Sequence, residues 1–73
     1  MPPAQQRAVK VLLSSGATRI IDDADSARLD DAFFIVRSRD RVVVTLWSQN
    51  VIGAEILTDG VRTGYVPGKG AAR

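Results

Sequence analysis

A chain of 73 residues with net charge +2 and neither cysteine nor histidine has room for one domain, whose core hides only about 60% of the unfolded chain's surface. Those absences exclude disulfide stapling, thiol or imidazole catalysis and the usual zinc sites. The apolar share of 45% and charged share of 25% are globular proportions and speak against wholesale disorder.

Residues 1–8 read as a polar N-terminal arm, 9–66 as a single small β domain and 67–73 as a flexible basic tail. Met1-Pro2-Pro3-Ala4-Gln5-Gln6 holds no hydrophobic signal region. No apolar run approaches the length of about 18 residues that a membrane span needs. The expectation is a cytoplasmic protein with no membrane partner. The preference for Arg over Lys, with abundant Ala, Val and Asp, points to a GC-rich bacterial or phage genome.

Val9 to Leu13 supports two readings. As a strand, Val9, Val11 and Leu13 share a face, and Ser15-Gly16 turns the chain into Ala17-Thr18-Arg19-Ile20-Ile21. As a helix over 4–15, Ala4, Ala8, Val11 and Leu12 form a stripe that Gly16 stops. β-Branched residues on both sides of the turn favour the strand, and a short helical turn over 3–8 leading into that strand is the compromise between the two. Asp22 to Asp31 then holds five of the eight acidic residues, with a brief strand at Ser26-Ala27-Arg28-Leu29.

The central hairpin comes next. With Arg39-Asp40 as its loop, Phe33, Ile35 and Arg37 share a face with Leu46, Val44 and Val42. Phe34, Val36 and Ser38 share the other with Thr45, Val43 and Arg41. The first face reads as core. The second is half apolar, more than a solvated face usually shows. A four-residue loop is equally compatible with the pattern, because Arg-Asp is not a favoured type I′ pair. After Trp47, Ser48-Gln49-Asn50 turns the chain into a strand from Val51 to Thr58, with Ile52, Ala54 and Ile56 on one face. Gly53 within it marks a bulge or tight bend. Asp59-Gly60 is the strongest hairpin signal, returning the chain as an edge strand over Val61-Arg62-Thr63-Gly64-Tyr65-Val66.

Few groups here could do chemistry. The acidic residues sit in a polar turn where carboxylates are solvated, so no catalytic residue, cofactor or metal ligand is assigned and the chain reads as a non-enzyme. A calcium loop started at Asp23 puts Ala27 and Arg28 at its fifth and sixth positions, where an oxygen ligand and a glycine belong. Arg37, Arg39 and Arg41 cluster at the hairpin tip and, with Lys69 and Arg73 of the tail, could contact phosphates. Interrupted by Ser38 and Asp40, they read first as a charged tip that prevents aggregation. Among the aromatics, Trp47 joins Phe34, Val36 and Val43 as a candidate protein interface.

Two resemblances follow from these motifs. Val9-Lys10-Val11-Leu12-Leu13-Ser14-Ser15-Gly16-Ala17-Thr18, then Asp22-Asp23-Ala24-Asp25, Phe33-Phe34-Ile35-Val36 and Val42-Val43-Val44, resemble short uncharacterised β-rich proteins of actinobacteria and their phages. That resemblance covers residues 9–57 and implies no activity. The strand order is also similar to that of Sm-like and SH3-like barrels, with a Gly turn after the first strand and a short polar turn before the last. This likeness implies ring assembly and RNA binding, with Asn50 near an RNA-contacting position. Ser48-Gln49-Asn50 stands where a Lys-His type of motif is usual.

The expected fold is all-β: a small antiparallel barrel or bent sheet of five to six short strands. The thin core and the second apolar face predict a homo-oligomer. The expected function is a non-enzymatic module for protein–protein interaction or self-assembly, such as a phage or bacterial accessory protein. The alternative is a nucleic-acid-binding barrel using Arg37, Arg39, Arg41, Lys69 and Arg73.

Overall fold

The computed structural model describes residues 6–39 and 41–70. Every segment rich in Val, Ile, Thr and aromatic residues is extended, as such side chains prefer on a pleated, half-buried surface. Seven strands result: β1 (Arg7–Leu13), β2 (Thr18–Asp22), β3 (Ser26–Asp30), β4 (Phe33–Ser38), β5 (Arg41–Trp47), β6 (Val51–Thr58) and β7 (Val61–Pro67). A 3-10 turn, Ser48–Asn50, separates β5 from β6. The chain is all-β, in two antiparallel sheets ordered β2-β1-β6-β7 and β3-β4-β5. The brief segment expected at residues 26–29 is a full strand, which brings the count above the five or six expected.

The strand reading of β1 holds. It begins at Arg7 and pairs with β2 and β6 together, so Arg7 and Ala8 belong to the domain rather than to an arm. Residues 1–5 lie outside the described chain. Gln6 is fastened as well: its amide donates to Asp59 Oδ1 at 3.0 Å and its carbonyl accepts from Asp59 N–H at 2.7 Å.

Turns follow turn chemistry. Asp59 and Gly60 both take positive φ, 51° and 82°, the requirement of the two-residue loop that joins β6 to β7. The β1–β2 connection is longer than a bare Ser15-Gly16 pair. Its strands stop at Leu13 and Thr18, with Leu13 N–H donating to the Ala17 carbonyl at 2.9 Å.

The inner faces of both sheets meet in one core. The four-stranded sheet supplies Val9, Val11, Ile21, Val51 and Ala54, the three-stranded sheet Phe34 and Val36, and the first crossover Ala24. Half-buried Leu13, Ala27, Leu29, Val44, Leu46, Ile56 and Val66 complete it. Both crossovers are tied down. At the first, Asp23 N–H donates to the Arg7 carbonyl and Asp25 N–H to the Arg37 carbonyl, each at 3.0 Å. At the second, Ser48 N–H donates to the Ala32 carbonyl at 2.8 Å and Ser48 Oγ to the Asp31 carbonyl at 2.9 Å.

One bulge overturns the expected facing of the central hairpin. Ser38 pairs with Arg41 and Arg37 with Val42, as a two-residue loop dictates; the register then slips and Val36 pairs with Val44 rather than Val43. Val43 is the extra residue. Beyond it Phe34 lies opposite Leu46 and Phe33 opposite Trp47. Phe34 and Val36 are fully buried, whereas Phe33 is 42% exposed. The face assigned to the core, Phe33 and Ile35, is the outer one. Asp40 of this loop lies outside the described residues.

A similar slip beside Gly53 leaves Ile52 without a partner on β1 and turns Val51 into the core. Residues 67–70 are likewise no loose tail. Pro67 closes β7, Gly68 N–H donates to the Ile52 carbonyl at 2.9 Å, Lys69 N–H to Ser48 at 3.1 Å and Gly70 N–H to Val51 at 2.7 Å.

Candidate protein-interaction surface

β-Strands alternate their side chains between faces, so the core residues of the three-stranded sheet leave their neighbours outside. Ser26, Arg28 and Asp30 of β3 are exposed, with Ala27 and Leu29 turned to the core. Arg28 pairs with Ile35 and Asp30 with Phe33; Ile35 in turn pairs with Thr45 and Phe33 with Trp47. The outer face therefore carries a charged row on β3, an apolar row of Phe33 and Ile35 on β4, and Thr45 and Trp47 on β5. Where β5 bulges, Val42 and Val43 are both exposed.

Phe33 and Trp47 stack, with ring centroids 5.1 Å apart and planes 25° from parallel. Trp47 stays 56% exposed. Two half-exposed aromatics at one end of this face and two exposed valines at the other, with half-buried Ile35 between them, make its central and outer strands largely apolar. Of the four residues expected to form an interface, Val43 and Trp47 are on this surface, while Phe34 and Val36 lie beneath it in the core. Phe33 and Val42 take their places.

The outer face of the four-stranded sheet is different in kind. Glu55 there pairs with Lys10 at 4.0 Å and Arg62 at 3.4 Å, and the Arg62 guanidinium stands 4.9 Å over the Tyr65 ring. Tyr65 lies across Gly53, where a Cβ would overlap its hydroxyl. The aromatic ring covers the strand glycine, a known device for protecting backbone at such positions. That face carries a charge network around Glu55, with Ile20 exposed beside Lys10.

The cations proposed to contact nucleic acid are divided. Arg37, Arg39 and Arg41 occupy the β4–β5 end, whereas Lys69 is at the β3–β4 end, where its ammonium is 3.7 Å from Asp31. β4, six residues long, separates the two groups by about 20 Å. Arg73 lies outside the described residues. Asp25 also occupies the arginine end. Both its carboxylate oxygens accept the Arg39 backbone N–H at 3.2 Å, and Arg7 approaches it at 3.9 Å. The acidic turn thus braces the hairpin tip, whose Arg39 holds φ 56°. Among the described residues no three His, Cys, Asp or Glu side chains converge as metal ligands would, and no helix is long and apolar enough to cross a membrane.

A hollow of about 390 Å³ opens between β1, the end of β2 and the β6–β7 hairpin, lined by Gln6, Arg7, Ala8, Asp22, Asp23, Leu57 and Gly60. Asp22 and Asp23 are exposed there, so its carboxylates keep their water. Compared with known proteins, the chain matches no family model, no curated protein and no solved structure.

Proposed function

We propose that this protein is a non-enzymatic β module that works through protein–protein contact, using the outer face of its three-stranded sheet. The Phe33–Trp47 stack carries this reading. Two large aromatics stand outside a core that is complete without them, with exposed Val42 and Val43 at the far end of the same face and the charged row of β3 along its side. Exposed aromatics surrounded by polar groups are the anatomy of interface hot spots. The division of the cations between two ends of the sheet favours this reading over nucleic-acid binding.

The test is capture from an extract of cells that make the protein, with wild-type and Trp47→Ala chains immobilised side by side. Protein that is retained through a salt series by the wild type and lost from the variant is the expected result. Retention of nucleic acid that falls steeply with salt, equal for both chains, overturns the reading in favour of the alternative. Trp47→Ala keeps the fold, because Trp47 contributes nothing to the buried cluster.

A further inference from the structure

Resting on that reading of the outer face, we infer that its partner is a second copy of this chain, packed face to face about a two-fold axis that lies in the interface and runs across the strands. The distribution of charge on the face selects this arrangement. Asp30 stands at one end, level with Phe33 and Trp47, while Arg37 stands at the other, level with Val42.

A two-fold axis along the strands would set Arg37 on the partner's Arg37. An axis across the strands turns the second copy end for end. The Asp30 end of each chain then covers the Arg37 end of the other, twice, as an isologous contact requires. The same operation lays Phe33 over the partner's Arg37 and Asp30 over the partner's Ser26, beside that arginine. With the axis at the level of Ile35, that residue meets the partner's Ile35, and Trp47 meets the partner's Val43. Thr45 lies on the axis opposite the partner's Thr45. Arg28 meets the partner's Arg28 only at the solvent rim, where screening keeps the repulsion small. It lies one strand repeat from the partner's Asp30.

The area suffices. A half-exposed large aromatic presents about 100 Å², so Phe33, Trp47, Val42, Val43 and half-buried Ile35 together expose on the order of 500 Å² per copy. Pairing removes about 1,000 Å², where specific interfaces begin. Charge pairs at the ends supply register more than affinity. For a chain this small, with a core of eight buried apolar residues, association is the remaining source of stability.

Sedimentation over micromolar to sub-millimolar concentration, with charge reversals, tests the proposal. The wild type is expected to dimerise. Asp30→Arg and Arg37→Glu should each weaken the dimer about ten-fold, and the two together should restore it, because the reversed charges pair again. Circular dichroism checks that each variant is folded.

A second measurement does not depend on those variants. The chain has no cysteine, so Thr45→Cys alone should cross-link to itself through a bismaleimide spanning the spacing of about 10 Å between packed sheets. A wild type that remains monomeric throughout overturns the homodimer, leaving the face to be judged by capture of a different protein. A dimer that neither cross-links at position 45 nor responds to the reversals also overturns it. If Trp47→Ala leaves such a dimer intact, the interaction reading of this face loses its support as well.

Discussion

Phe34→Ala is expected to unfold most of the protein at room temperature. Phe34 is the largest fully buried side chain, and removing a buried phenylalanine costs about 3–5 kcal/mol in lost burial and residual cavity. A single core in a chain of this size supplies roughly 3–5 kcal/mol of net stability, so the loss consumes it. Its neighbour provides the control. Phe33→Ala forfeits the stack with Trp47, about 0.5–1.5 kcal/mol, and leaves the buried cluster whole. Urea titrations followed by circular dichroism at one protein concentration measure both. Equal losses, or a larger loss for Phe33→Ala, would mean that the two faces of β4 had been exchanged.

Gly68→Ala is the second large effect. A Cβ at residue 68 would overlap the Val51 carbonyl oxygen, which is backbone and already accepts the Gly70 N–H at 2.7 Å. Neither partner can swing aside as a side chain could. Forcing in the methyl costs about 1–3 kcal/mol and detaches residues 68–70 from the 3-10 turn and β6. Hydrogen exchange should then show faster exchange at Gly68, Lys69 and Gly70, together with a lower melting temperature. Unchanged protection would mean that the segment is not held against Val51.

That segment shows where the sequence was hard to read. Pro67-Gly68-Lys69-Gly70 has the composition of a loose tail, but here the glycines permit close approach to the Val51 carbonyl. Composition alone does not distinguish flexibility from tight contact. The β1 and β6 strands, the Asp59-Gly60 hairpin and a turn after Trp47 were legible, because β-branched runs and turn residues act locally.

The facing of the central hairpin was not. Val42-Val43-Val44 offers no mark for which valine is the extra one, and a bulge of one residue exchanges the partners of everything beyond it. Both faces of β4 are apolar, so only the position of the four-stranded sheet decides that Phe34 goes in and Phe33 stays out. The candidate surface was half legible for the same reason: Val43 and Trp47 were found, Phe33 and Val42 were missed. Asp25 gave no signal either, since a carboxylate that accepts an amide 14 residues away looks like any other in an acidic turn.

Trp47 is the chain's one tryptophan, so its fluorescence reports directly on the claim that an apolar face lies outside the core. The decisive measurement is acrylamide quenching of that emission in the dilute, folded protein, repeated as concentration rises. Emission from a solvated indole that is readily quenched when dilute, and protected as copies associate, is the predicted result. Blue-shifted emission that resists quenching in the folded monomer would contradict it, because Trp47 would then be part of the core and the outer face would not exist as described.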